Sequence, residues 1–148
     1  MKLERYQLKT SKNILVFEFV SEGSKGKIDK IIQFSETNLK GFYNLAFGDK
    51  NIETGELDNL AVSNNGDMEK VLATVVAAVL AFTERMPEAY IYATGSTFAR
   101  TRIYRMGIMK YYDEIVESFD LFGETENDLE TFVKNKDYNG FVVIRKTK

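Results

Sequence analysis

The chain has no cysteine and no histidine. The first absence excludes disulfides, thiolate zinc sites and cysteine nucleophiles. The second removes the commonest general base, the Ser-His-Asp arrangement and any histidine-ligated metal. An enzyme made from this sequence has only Asp, Glu, Lys and Tyr for acid–base work, and a metal would be a hard cation on oxygen ligands. Long apolar runs are also missing. The longest, residues 71–82, is too short to span a bilayer and is interrupted by Thr74, so no membrane partner is expected. Residues 1–5 are charged and lead straight into structured-looking sequence, which does not read as a signal peptide, and a cytoplasmic location is the expectation. Charge of one sign is not in excess. A net charge of −2 argues against a surface coated for nucleic acid and leaves room for a local basic site.

What is present describes a globular domain. The length of 148 residues predicts a single domain spanning 1–148, and the order of strand and helix patterns along it predicts an α+β fold. A chain of this size buries roughly 68–70% of its unfolded surface, enough for a core without staples. A composition of 44% hydrophobic and 28% charged residues lacks the signature of disorder.

In chain order, the first sixty residues read as strands. Ile14-Leu15-Val16-Phe17-Glu18-Phe19-Val20 is a strong β run that ends in the turn composition Ser21-Glu22-Gly23-Ser24-Lys25-Gly26. On the next run Ile28, Ile32 and Phe34 share a face, with Lys30 as its polar exception. Residues 42–47 and 57–62 complete an antiparallel meander. The turn after Asp49 lacks the spacing of a calcium loop, because glycine is at 55 and Leu60 stands where the bidentate acid belongs, so a plain hairpin loop is expected and no metal site.

A long helix over 67–86 follows, with Asn65 or Asp67 as its cap and Pro87 as its stop. Met68, Val71, Leu72, Val75, Val79, Leu80 and Met86 recur at spacings of three and four, and the other faces carry alanines and Val76. A helix this apolar all round packs on more than one side, against the sheet and against further chain or a second subunit. Residues 89–94 read as an interior strand, and 96–106 as a helix with Gly107 just beyond its end. Its inward stripe is expected to be Ala99, Ile103 and Met106. Residues 108–116 suggest a short helix and 117–123 a strand. In the acidic segment 124–136, Leu129, Phe132 and Val133 fall at helical spacing, giving a loop or short helix, and 141–145 is the closing strand.

The candidate site is the strand–turn–helix from Tyr90 to Arg105. Thr94-Gly95-Ser96-Thr97 leads into a helix start whose free N–H groups and dipole favour an anion. Ser96 or Thr97 can cap the helix or meet a ligand with a hydroxyl. Arg100, Arg102, Arg105 and Lys110 follow, with no acid between Glu88 and Asp113, and Tyr90, Tyr92, Phe98 and Tyr104 supply flat surfaces for a base or sugar. Arg100 and Tyr104 share one helix face; Phe98, Arg102 and Arg105 share another, so at most two arginines converge on a ligand. Arg100, nearest the helix start, is the best placed. Capping plus structural ion pairs is the competing account of the same residues. The turn matches neither the phosphate-loop pattern nor the nucleophile elbow, so no cofactor and no catalytic residue is assigned.

Asn44-Leu45-Ala46-Phe47-Gly48-Asp49, residues 63–75 and above all Thr94-Gly95-Ser96-Thr97-Phe98-Ala99-Arg100-Thr101-Arg102-Ile103-Tyr104-Arg105 resemble a family of small proteins from Bacteroidetes bacteria that is defined as a domain of unknown function. The resemblance covers most of the chain and implies a cytoplasmic bacterial single-domain protein. It implies no activity.

The leading expectation is a non-enzymatic binding protein that holds a nucleotide or a nucleic-acid backbone through Gly95, Ser96, Thr97, Arg100, Arg102, Tyr104 and Arg105. The alternatives are an enzyme acting on a phosphorylated small molecule through Ser96, Arg100 and Tyr104, and a homodimeric or antitoxin-like interaction module that uses the 67–86 helix.

Overall fold

The computed structural model describes residues 4–58, 64–94 and 98–146, and among them the fold is α+β. The described strands are β1 (Lys9–Thr10), β2 (Val16–Gly23), β3 (Gly26–Glu36), β4 (Phe42–Asp49), β5 (Tyr90–Ala93), β6 (Phe119–Glu124), β7 (Leu129–Thr131) and β8 (Gly140–Arg145). The described helices are α1 (Met68–Arg85), α2 (Phe98–Lys110) and α3 (Tyr112–Ser118). The strands form one eight-stranded sheet in the order β1-β2-β3-β4-β5-β8-β6-β7. β4 and β5 run parallel, which requires a crossover connection, and α1 supplies it. The pairs β1/β2, β2/β3, β5/β8, β6/β8 and β6/β7 are antiparallel. The chain divides into two compact units, Met1–Phe34 with Ala46–Phe82 and Ser35–Leu45 with Thr83–Lys148.

In the first unit, alternation along β2 and β3 turns Phe17, Phe19, Ile32 and Phe34 to the core, where they are buried. The apolar face of α1 meets them: Val71, Leu72, Val75, Ala78 and Phe82 are buried, and the Phe34 and Phe82 rings stack 4.3 Å apart. Burying each such ring contributes roughly 1.5–3 kcal/mol. Lys30 is 1% exposed, and its ammonium bonds the Asp49 carboxylate at 2.5 Å. Thus Asp49 is the counter-charge of a core lysine. The loop after it is a plain turn: the Asn51 side-chain oxygen accepts the N–H groups of Glu53 and Thr54 at 2.9 and 3.1 Å. Of the strand expected over 57–62, Leu57 forms a bridge to Lys50, and residues 59–62 lie outside the described residues.

Asp67 stands at the N-cap position of α1, its carbonyl accepting the Val71 N–H at 3.0 Å, while its side chain and that of Asn65 are engaged elsewhere. Asp67 accepts hydrogen bonds from the Tyr6 and Ser21 hydroxyls, each at 2.5 Å. Asn65 accepts the Lys25 N–H at 2.6 Å and donates to the Gly26 carbonyl at 2.8 Å. Asn65 therefore clasps the β2–β3 turn, and Asp67 ties β2 to the chain ahead of β1. The Asn65 backbone comes so close that a Cβ on Gly23 would collide with its carbonyl, and only glycine fits there.

In the second unit, Ile91 and Ala93 of β5, Phe141 of β8 and Leu121 of β6 face α2 and α3, which bury Tyr104, Tyr111 and Ile115. The orientation of α2 corrects the sequence expectation. Ala99 is exposed and Met106 is 52% exposed, whereas Tyr104, Gly107 and Tyr111 are buried at spacings of three and four. A buried tyrosine contributes a large apolar ring, and the Tyr104 hydroxyl finds a partner in the Leu45 carbonyl at 3.2 Å. Gly107 is not a terminator either: α2 continues to Lys110, and Tyr111 N–H bonds the Gly107 carbonyl at 3.0 Å. The helical spacing of Leu129, Phe132 and Val133 is also misleading. Residues Leu129–Thr131 are β7, Phe132 is buried, and Leu129 and Val133 are 45% and 54% exposed.

Candidate anion-binding cleft

α2 brings four cations into the second unit, Arg100, Arg102, Arg105 and Lys110, and has no acid in its first turn. Burial of Tyr104 fixes where they point. Arg100, one turn earlier on the same face, is half-buried. Arg102 and Arg105, one turn apart on a different face, look out over the segment that joins β7 to β8. With Thr101, Asp137 and Tyr138 they line a cleft of about 270 Å³.

The far wall is built by residues 132–139. Asn135 there adopts a left-handed backbone, φ 66°, which asparagine tolerates in a tight turn. The Tyr138 ring lies against Gly123 of β6, within a cluster that also contains Phe132 and Phe141. Its hydroxyl donates to Glu130 at 2.8 Å and accepts the Val133 N–H at 3.1 Å. Lys136 donates to the same Glu130 oxygen at 2.8 Å. Asn139 is tied at both polar groups, its N–H to the Glu124 carbonyl and its carbonyl to the Thr94 hydroxyl, each at 2.8 Å. The segment therefore holds its shape, and it presents Asp137 to Arg105, Oδ1 to Nη1 2.8 Å apart.

The electrostatics define what the cleft can do. Lys136 and then the Tyr138 hydroxyl hold the Glu130 carboxyl below the usual carboxylate range, and Glu130 in turn raises Lys136. Burial, followed by the bond to Glu130, pushes the Tyr138 hydroxyl up, so it stays a neutral donor near pH 7. Two guanidinium groups facing one carboxylate leave a positive balance suited to an anion. Two larger clefts lack that balance. One of about 660 Å³ in the second unit mixes Glu36 and Glu88 with Lys40 and Arg85. One of about 530 Å³ in the first unit mixes Glu18, Glu22 and Asp29 with Lys9 and Lys50.

The residues singled out in the sequence divide as follows. Gly95, Ser96 and Thr97 lie outside the described residues, as does the side chain of Phe98. Arg102 and Arg105 come together, Arg100 turns to another face, and Tyr104 is a core side chain anchored on Leu45. Sequence reasoning missed Asp137 and Tyr138. They lie more than thirty residues beyond the arginines in a segment of plain turn composition, and only the β6/β8 pairing brings them back.

These features define a small α+β protein with a basic cleft beside one helix. Among the described residues no group of three acids could hold a metal, and no helix is long and apolar enough to cross a membrane. The chain belongs to the Family of unknown function (DUF6934), whose model matches residues 2–146. No curated protein and no solved structure matches it.

Proposed function

We propose that this protein is a non-enzymatic binding protein for a phosphate-bearing ligand, such as a nucleotide or a nucleic-acid backbone, held beside α2. The observation that carries the reading is the convergence of Arg102 and Arg105 on one cleft of a helix with no acid in its first turn. Arginine forks match phosphate oxygens in shape and charge. The Gly95–Thr97 turn joins the reading through its sequence alone, as the chain entering the helix start.

Titration calorimetry of inorganic phosphate and a nucleoside monophosphate into the wild type and an Arg102→Ala, Arg105→Ala double variant tests it. Each charged hydrogen bond lost costs about 1.5–3 kcal/mol, so the double variant should bind at least tenfold more weakly with an unchanged circular dichroism spectrum. A folded double variant with wild-type affinity would sink the proposal.

An enzymatic role on a phosphorylated small molecule has less support, because the Tyr104 hydroxyl is bonded to a backbone carbonyl and the Tyr138 hydroxyl to Glu130. Association through α1 rests on a separate observation: Val76, Ala77, Leu80 and Ala81 stay half-buried in a stripe along that helix. Sedimentation equilibrium decides it, since a strict monomer at high concentration ends that reading.

A further inference from the structure

Ile14 has a left-handed backbone, φ 57°. A β-branched residue is an outlier there, because its Cβ crowds the following carbonyl oxygen, at a cost equivalent to roughly five- to thirtyfold in an equilibrium constant. It stands in the tight turn between β1 and β2, where its N–H bonds the Ser11 carbonyl at 3.1 Å and the Ser11 N–H bonds the Val16 carbonyl at 2.9 Å. Glycine or asparagine is the residue that such a position favours.

Ahead of this turn lies an arm, residues 4–10, whose anchors are remote in sequence. The Tyr6 N–H bonds the Thr74 hydroxyl of α1 at 2.9 Å, and its ring stacks on Phe19 of β2 with centroids 5.6 Å apart. Its hydroxyl donates to Asp67 and accepts the Glu22 N–H at 3.0 Å, and the Lys70 ammonium sits 4.4 Å from the centre of the ring. β1 itself adds only two paired residues, Lys9 with Glu18 and Thr10 with Phe17. The seat is therefore specific for this arm and indifferent to which copy of the chain supplies it. We infer that two copies of the chain exchange arms, each placing its Tyr6 in the other's seat beside Thr74, and that the strained turn at Ile14 drives the exchange. Every contact of the arm is kept in the exchanged dimer, while residues 11–15 run extended between copies and Ile14 leaves the left-handed region. The turn's own side-chain bonds, at exposed Ser11 and Asn13, are replaced by bonds to water. Relief at both turns favours the dimer by roughly 30- to 1,000-fold. An arm closes on its own chain at an effective concentration on the order of 1 mM, so exchanged dimers should form at roughly 1–30 μM.

The test uses the full chain and exploits its lack of cysteine. Facing Cα atoms of an antiparallel pair lie about 4.5–5.5 Å apart, within the roughly 4.4–6.8 Å that a disulfide spans. A Lys9→Cys, Glu18→Cys variant, equilibrated in reductant and then oxidised, should cross-link within one chain when dilute and between two chains when concentrated. Sedimentation equilibrium of the wild type and Ile14→Gly, which needs no cysteine, gives the second readout. Glycine accepts the left-handed turn without strain, so the Ile14→Gly dimer should dissociate at least tenfold more readily. Cross-links confined to single chains at every concentration would overturn the exchange, and if dimers still sediment they form through another surface. A dimer of unchanged strength in Ile14→Gly, or a strictly monomeric wild type, would overturn it as well.

Discussion

Removing either partner of the Lys30–Asp49 pair should destabilise the protein unequally, and the inequality follows from burial. Lys30 is 1% exposed at its side chain and Asp49 is 15% exposed. Asp49→Ala takes the carboxylate from a fully buried ammonium, and breaking a buried pair from one side costs about 3–5 kcal/mol. Lys30→Met leaves a carboxylate at the edge of the core, where water solvates part of it, so the cost should be smaller than that of Asp49→Ala. Replacing both, Lys30→Met with Asp49→Leu, trades the pair for apolar packing and should be close to neutral. Against the total stability of about 5–15 kcal/mol expected of a domain, Asp49→Ala is a large loss. Urea unfolding followed by far-ultraviolet circular dichroism gives all three values, with unchanged slopes showing that the same transition is compared. An Asp49→Ala variant no less stable than Lys30→Met, or a double replacement no more stable than Asp49→Ala, would show that burial does not set the cost of breaking this pair.

Two further outcomes test the second unit. A Cβ at residue 123 would stand about 2.5 Å from the Tyr138 ring, so Gly123→Ala should cost about 1–3 kcal/mol through overpacking. Adding Tyr138→Ala should leave the pair more stable than the sum of the two single changes, and strict additivity in the unfolding free energies would count against the contact. The Tyr92 hydroxyl is pushed up to about 12 by burial and by its 2.6 Å bond to Glu124. Its folded value lies above the unfolded value of about 10, so its contribution is complete below pH 10 and is lost as pH rises toward 12. Tyr92→Phe should therefore flatten the stability curve over that window, and parallel curves for the two proteins would rule this out.

Much of the fold is legible in the sequence where one face of an element carries a consistent pattern. The spacing of Val71, Leu72, Val75 and Val79 fixes α1 because each of those side chains has the same destination. β2 and β3 are legible for the same reason, and the one misfit, Lys30, is answered by Asp49 from a strand that composition does not link to it. α2 is harder to read because its apolar residues are scattered round the helix. Tertiary packing then decides the inward face, and it prefers Tyr104 and Gly107 to Met106. That rotation also decides which arginines meet. The pairing of Arg102 with Arg105 on one face is visible in the sequence, whereas the carboxylate that faces them is not. β7 is misread because three apolar residues at helical spacing carry little weight beside a neighbouring strand edge that needs hydrogen bonds.

The position of β8 has a consequence for how the second unit assembles. β8 follows β6 and β7 in the chain, yet it is inserted between β5 and β6, hydrogen-bonded to both. Until it arrives, β5 and β6 each present an open edge of unpaired backbone groups. The β2–β3 hairpin of the first unit closes through neighbours in sequence, whereas β5 must find Phe141, Val142 and Val143 some fifty residues away. Non-local closure of this kind slows folding. The second unit should therefore be the later to acquire exchange protection, with the amides of β5 and β6 protected together when β8 docks between them.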